Sequence, residues 1–170
     1  MRISRASFIL VCVWLVASPL AAVGQTKYGV SVKTSKPAAL AKAKTYVWTK
    51  GSPSFNKSVD AMIVAAVDRE LGARGFMKLP SGPSDVTASY ASLGRTDVEV
   101  KNTKNAPKDA AAREYAVGTL VVDLHDATSS EVLFRVRTDT PIERDIATIE
   151  ATINKVVAAM FEKYPASSKR

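Results

Sequence analysis

Val117-Gly118-Thr119-Leu120-Val121-Val122-Asp123-Leu124-His125 and, after a short polar interval, Glu131-Val132-Leu133-Phe134-Arg135-Val136-Arg137-Thr138 are the two runs on which the fold turns. Leu120, Val122 and Leu124 alternate with Val121, Asp123 and His125, the period of a strand with one face in water. Val132, Phe134 and Val136 alternate with Arg135 and Arg137 in the same way. Asp126 to Ser130 is read as a five-residue loop in which Asp126 helps to form the turn. Antiparallel pairing across it predicts Leu120 opposite Val136, Val122 opposite Phe134 and Leu124 opposite Val132. All six apolar side chains then share one face, and a slip of one residue would turn one strand's set into water.

Working upstream, Arg113 closes a stretch, residues 101–113, with scattered Lys, Asn, Pro and Ala and no periodicity, the best candidate for a mobile loop. Before it, Val86, Ala88 and Tyr90 alternate with polar neighbours over residues 85–92, a half-buried strand that Gly94 is expected to break, with residues 96–100 continuing as another. Phe76 to Leu79 reads as a short strand. Val59, Ile63, Ala66, Val67 and Leu71 recur at helical spacing, with Asp60, Asp68 and Arg69 off the stripe, and predict a helix over residues 56–74. Asn56 or Ser58 is its cap, and Gly75 suits the left-handed position beyond its end. Thr45-Tyr46-Val47-Trp48-Thr49 is a strand, with Tyr46 and Trp48 on one face, and Tyr28 to Lys33 is a short first strand. Between them, Ala38 to Ala43 reads as a turn of helix or a loop.

Downstream of the hairpin, Thr140-Pro141-Ile142-Glu143 combines a cap, a proline at the first helical position and a glutamate placed to close a capping box. Ile142, Ile146, Ile149, Ile153, Val156, Val157, Met160, Phe161 and Tyr164 then form one apolar stripe that Pro165 stops. Two amphipathic helices and five to seven strands, mostly antiparallel, predict an α+β fold: a single sheet with both helices on its apolar face.

The first 24 residues have a different character. Arg2 and Arg5 precede an apolar core from Phe8 to Val16, Pro19 breaks it, and Ala22-Val23-Gly24 places small residues where a signal peptidase reads them. A signal peptide over residues 1–24 is expected, with cleavage after Gly24 and a single domain over residues 25–170. Ile9 to Val23 is shorter than the ~20 residues that span a bilayer, and Ser18-Pro19 interrupts it. No later segment is apolar enough to span. Export to the periplasm follows as the expected location.

Cys12 is the chain's only cysteine and sits inside the leader's apolar core, behind Ile9-Leu10-Val11. That is too early and too bulky a context for an acylated lipoprotein cysteine, so the mature chain is expected to have no disulfide, lipid anchor or cysteine-ligated metal. The formal charge of +8 falls by two when Arg2 and Arg5 leave with the leader. The remaining basic residues are scattered singly, without a basic-aromatic module, which weighs against nucleic acid and leaves an anionic lipid surface or another envelope protein as a partner.

Lys44-Thr45-Tyr46-Val47-Trp48, then Glu70-Leu71-Gly72-Ala73-Arg74-Gly75-Phe76, then Ser84-Asp85-Val86-Thr87-Ala88-Ser89-Tyr90 follow one another in an order that resembles the exported bacterial family catalogued as domain of unknown function 4136. Gly118-Thr119-Leu120-Val121-Val122-Asp123-Leu124-His125-Asp126 and Phe161-Glu162-Lys163-Tyr164-Pro165 continue the resemblance over nearly all of the mature chain. It implies an envelope protein, in many members a lipoprotein, with no established activity. Two departures stand out: the acylated cysteine is absent, and Phe134-Arg135-Val136 stands where members tend to carry tryptophan-arginine-glycine.

For chemistry, Asp123-Leu124-His125-Asp126 is the one cluster to weigh. Asp123 and His125 project from one side of a strand, roughly 7 Å apart, and the expected register sets Glu131 beside His125. Such a trio suits a metal site or acid-base pair. The simpler reading is a solvated hairpin mouth, since the chain has one histidine and no metal-ligand spacing, so no catalytic, cofactor or metal residue is assigned. Tyr46 and Trp48 could line a groove but read more simply as core. Arg135 and Arg137 could grip a head group or guard the sheet against aggregation. Three functions follow: a non-enzymatic binding or assembly module, the preferred one; a carrier of a small apolar or lipid ligand; and a hydrolase or metal site at Asp123, His125 and Glu131.

Overall fold

The computed structural model describes residues 29–99, 113–142 and 145–165. The leader and residues 101–112 of the expected loop therefore lie outside the described residues, while Arg113 opens a strand.

The hairpin is present as β5 (Arg113–Asp126) and β6 (Val132–Pro141), but its register differs from the expected one by two residues. Leu120 faces Thr138, Val122 faces Val136 and Leu124 faces Phe134. A shift of two preserves the parity of the pleat, so Leu120, Val122, Leu124, Phe134 and Val136 are still all buried. The ladder slips between Leu124 and His125, and His125 pairs with Val132. The extra residue is Leu133, 1% exposed, while Val132 is only half-buried. The irregularity turns Leu133 inward and replaces Val132 as the last core residue of the strand. At the tip, the Asp126 carboxylate accepts the backbone N–H groups of Thr128 (3.0 Å) and Ser129 (2.8 Å), and Ser130 takes up a φ of 59°. This is the expected turn role of Asp126.

β4 (Val86–Glu99) runs antiparallel to β5 without a break, so Gly94 lies inside one long strand rather than between two. β1 (Gly29–Thr34) adds to the free side of β6, again antiparallel. On the other side β2 (Thr45–Trp48) is parallel to β4, and the two-residue β3 (Met77–Lys78) is parallel to β2. The order is β1-β6-β5-β4-β2-β3. The parallel pairs arise because a helix returns the chain from the end of β2 to the start of β3.

That helix is α2 (Lys57–Ala73), capped by Asn56, whose side chain accepts from the N–H groups of Ser58 (2.9 Å) and Val59 (3.4 Å). Gly75 beyond its end has φ of 84°, the conformation its sequence position predicts. The six-residue α1 (Pro37–Lys42) buries Leu40. The C-terminal helix α3 (Ile146–Glu162) begins later than expected: Asp145 is its cap, accepting from the Thr148 N–H at 3.2 Å. Pro141 instead ends β6, and Ile142 stands outside the helix and exposed.

α2 and α3 pack together with the face of the sheet that carries Val86, Ala88, Val122, Leu124, Phe134 and Val136. Ile63, Val67 and Leu71 from α2 meet Val156, Met160 and Phe161 from α3 in this one core. Phe134, Phe161 and Tyr164 close it in an aromatic cluster with centroids 5.1 to 6.3 Å apart.

Candidate functional site

The trio singled out by sequence does not assemble. Asp123 is held by Arg135, its direct cross-strand neighbour, through Nε at 2.6 Å and Nη2 at 2.8 Å. Glu131 pairs with Lys36, which precedes α1. The His125 Nδ1 lies 3.2 Å from the carbonyl oxygen of Ser130 in its own turn. The altered register is the reason: the two-residue shift, cut to one by the slip after Leu124, sets Val132 rather than Glu131 opposite His125. Among the described residues no group of three His, Cys, Asp or Glu is placed to hold a metal.

Tyr46 is core, at 1% exposed, and Trp48 is partly buried against the same cluster. Their polar ends converge on Asp68 of α2: the Tyr46 hydroxyl donates at 2.6 Å and the Trp48 indole N–H at 2.8 Å to the same oxygen. Lys78 of β3 donates to the other oxygen at 2.7 Å. One turn pair earlier on the helix, Asp60 accepts from the Tyr90 hydroxyl. These aspartates, off the helix's apolar stripe in sequence, fasten α2 to β2, β3 and β4. Burial, and then the bond to Asp68, push the Tyr46 hydroxyl pKa far above that of a free phenol.

A concave feature lies at the other end of the helix layer. Helix α2, helix α3 and the sheet diverge there around a cleft of about 340 Å³. Gly94 and Gly118 stand opposite each other in the β4–β5 ladder and lie along its floor. They belong to the helix-facing rows of their strands, two residues on from Ser92 and two before Leu120, which face each other one row inward. β4 and β5 therefore have no side chain at the row where a packed core would continue, and in β6 that row carries Thr140. A Cβ placed on Gly94 would meet nothing within 4 Å. One placed on Gly118 would touch Ile142 Cγ1 at 3.4 Å, which puts the Ile142 side chain at the floor's edge.

Burial grades along the walls. Phe55 and Ile142 are exposed at the rim, Val59 and Ile153 are half-buried, and Ile63, Leu120 and Val156 are buried. No ionisable side chain is among the described residues that line the cleft. The sequence hides it, because Gly94 reads as a strand break and Ile142 as part of a helix stripe. The available signal was a glycine at an inward position in each of two neighbouring strand patterns.

Fold and cleft together define a small α+β module, two long helices on a mixed six-stranded sheet, with an apolar recess at one end of the layer. The chain belongs to the family described as Domain of unknown function (DUF4136), whose model matches residues 30–166. The resemblance carried by the five motifs is thereby borne out. No curated protein matches the chain. Among solved structures, the chain is similar to a PDZ domain protein from Parabacteroides distasonis, at 12% identity and a TM-score of 0.54, covering 84% of this chain and 36% of that one. This chain thus spans about a third of the length of that protein. It is also similar to the PelC dodecamer from Paraburkholderia phytofirmans, at 12% identity and a TM-score of 0.54, covering 84% of this chain and 99% of that one. At these identities the likeness is one of fold. No helix of the described residues is long and apolar enough to cross a membrane.

Proposed function

We propose that the protein is an exported, non-enzymatic binding module of the cell envelope, and that it holds an apolar group of its ligand in the cleft between α2, α3 and the end of the sheet. The observation that carries this reading is the pair of bare positions at Gly94 and Gly118, which leaves an open recess lined by Val59, Ile63, Leu120 and Ile153. Open apolar surface of this kind is a standing cost in water, and it is the usual signature of a binding place. The leader pattern of residues 1–24 supports export. The engagement of Asp123 by Arg135 and of Glu131 by Lys36 supports a role in binding over catalysis.

The test uses the neutral fluorophore phenylnaphthylamine, which brightens on leaving water, with the mature protein and a Gly94→Leu variant. The new side chain enters open space and fills the recess. The mature protein should bind the dye and the variant should lose at least about tenfold in affinity, some 1.4 kcal/mol, while its circular dichroism stays unchanged. Equal binding by both proteins refutes the reading. Recovery of the mature chain from the periplasmic fraction with Gln25 at its N-terminus tests the export half separately.

A further inference from the structure

Granted that the cleft is the binding site, we infer that it takes a single unbranched acyl chain, tail first, and leaves the head group in water. Three features of the recess point to this occupant.

The first is its one-ended shape. Exposure falls from Phe55 and Ile142 at the rim to Ile63 (3%) and Val156 (2%) at the inner end, where the packed core begins. A ligand therefore enters from one side and stops against the core. The second is the chemistry of the described lining. No described residue lining the recess is ionisable, so a carboxylate or phosphate drawn inside would be desolvated without a counter-charge. Only the apolar part of an amphiphile is stable there, and the head stays at the rim.

The third is width. The floor is the two-glycine row of adjacent strands, Gly94 and Gly118, and Ile142 narrows it from the side. At about 340 Å³ the space lies near the lower end of the ~300–1,000 Å³ typical of small-molecule sites. That suits one slender chain better than the paired tails of a phospholipid or a fused-ring sterol. The source of the chain, a free fatty acid or a lipid with one tail, is left open by a site that reads the tail alone.

The experiment displaces phenylnaphthylamine from the mature protein with saturated fatty acids from hexanoate to hexadecanoate, each below its micellar concentration. The monoacylglycerol and lysophosphatidylcholine that share one tail are run beside them. Affinity should rise roughly fourfold for each added methylene that is buried and then level off once the tail reaches the inner end. For one tail the three head groups should bind alike. Gly94→Ala, a milder change than Gly94→Leu, should keep the fold and bring the plateau to a shorter tail.

Binding that follows the head group, or that ignores tail length, overturns the inference. If the dye binds and Gly94→Leu excludes it, yet no alkyl chain competes, the inference falls while the cleft stands as the binding site. If the dye ignores Gly94→Leu, the reading of the cleft falls with it.

Discussion

Arg135 reaches across the β5–β6 ladder and holds both carboxylate oxygens of Asp123, its direct neighbour in the register. The pair lies on the open face of the sheet, with the arginine side chain half in water. Cross-strand pairs of this kind contribute about 0.2–1 kcal/mol. A double-mutant cycle of Arg135→Ala and Asp123→Ala should give a coupling of that size, measured by urea unfolding, and salt should shrink it. His125→Ala, which removes only a contact within its own turn, should change stability by less than about 0.5 kcal/mol and leave dye binding as it was. A loss of dye binding in His125→Ala would tie the hairpin end to the cleft and contradict the separation described above.

Asp68 should be the most costly polar residue to remove. Without it the buried Tyr46 hydroxyl and the Trp48 indole N–H lose their acceptor, and each unsatisfied buried group costs about 1–3 kcal/mol. Asp68→Ala should therefore destabilise by roughly 2–4 kcal/mol. Tyr46→Phe alone should cost only about 1 kcal/mol, and placed in the Asp68→Ala background it should recover part of the loss. Urea unfolding of the three variants decides this. A strictly additive cycle would mean the two side chains do not act as a pair.

Element type was legible wherever one physical signal dominated. The α2 cap at Asn56 or Ser58, its apolar stripe and its stop at Gly75 all agree, and the structure, which uses Asn56, follows them to within a residue. The inward faces of β5 and β6 were also legible, because alternation fixes the side of the sheet. It does not fix the register: a two-residue shift keeps the same face of each strand inward, so the pattern alone could not separate Leu120 opposite Val136 from Leu120 opposite Thr138. That ambiguity decided the fate of the Asp123, His125 and Glu131 cluster. The α3 start was misplaced because Thr140-Pro141 fits a helix entry locally, whereas the pairing of Val117 with Pro141 holds the chain in the sheet. The cleft was illegible for a related reason, since it is made by side chains that are absent from a row formed only when β4 and β5 pair.

The same misplacement gives a direct check on α3. The Asp145 carboxylate accepts from the Thr148 N–H and, at 2.9 Å, from the Thr148 hydroxyl. Asp145→Ala should lose about 1 kcal/mol in thermal or urea unfolding. Thr140→Ala, the cap that the local sequence suggests, should cost less, because among the described residues its hydroxyl bonds to the Pro141 carbonyl, outside α3. The reverse order of effects would place the helix start at Thr140 after all.

Acid should weaken the fold through three aspartates. Asp85 accepts the backbone N–H groups of Lys44 and Thr45 and the Thr45 hydroxyl, binding the start of β2 to the start of β4. These bonds, the one from Lys44 first, hold its pKa below the ordinary carboxylate value. The Ser129 N–H does the same for Asp126, and the Thr119 hydroxyl for Asp139. A carboxyl whose folded pKa is depressed contributes stability above its unfolded pKa, near 3.9. The contribution is lost as pH falls from there through the folded value. The urea midpoint should hold steady down to about pH 4 and then drop, and Asp85→Asn should flatten that drop while lowering the plateau slightly. A midpoint that begins to fall well above about pH 4, or a drop unchanged in Asp85→Asn, would mean that these carboxylates do not set the acid limit.

Alkali should act with the opposite sign and through the core. Burial raises the Tyr164 hydroxyl to about 12, where it packs against Phe134 and Phe161, and raises that of Tyr46 further. A phenol whose folded pKa lies above its unfolded value of about 10 keeps its proton more tightly in the native state. Its contribution is therefore complete below that pH and is lost as pH rises through the folded value. Ionisation followed by ultraviolet absorbance should show a native fraction of tyrosine that titrates only together with loss of near-ultraviolet circular dichroism. Tyr46→Phe should remove part of that late-titrating fraction and move the alkaline unfolding midpoint upward, because one group that must ionise on unfolding is gone. If the full tyrosine signal titrated near pH 10 with the dichroism intact, Tyr46 and Tyr164 would be in contact with water, and the closed aromatic end of the core would be disproved.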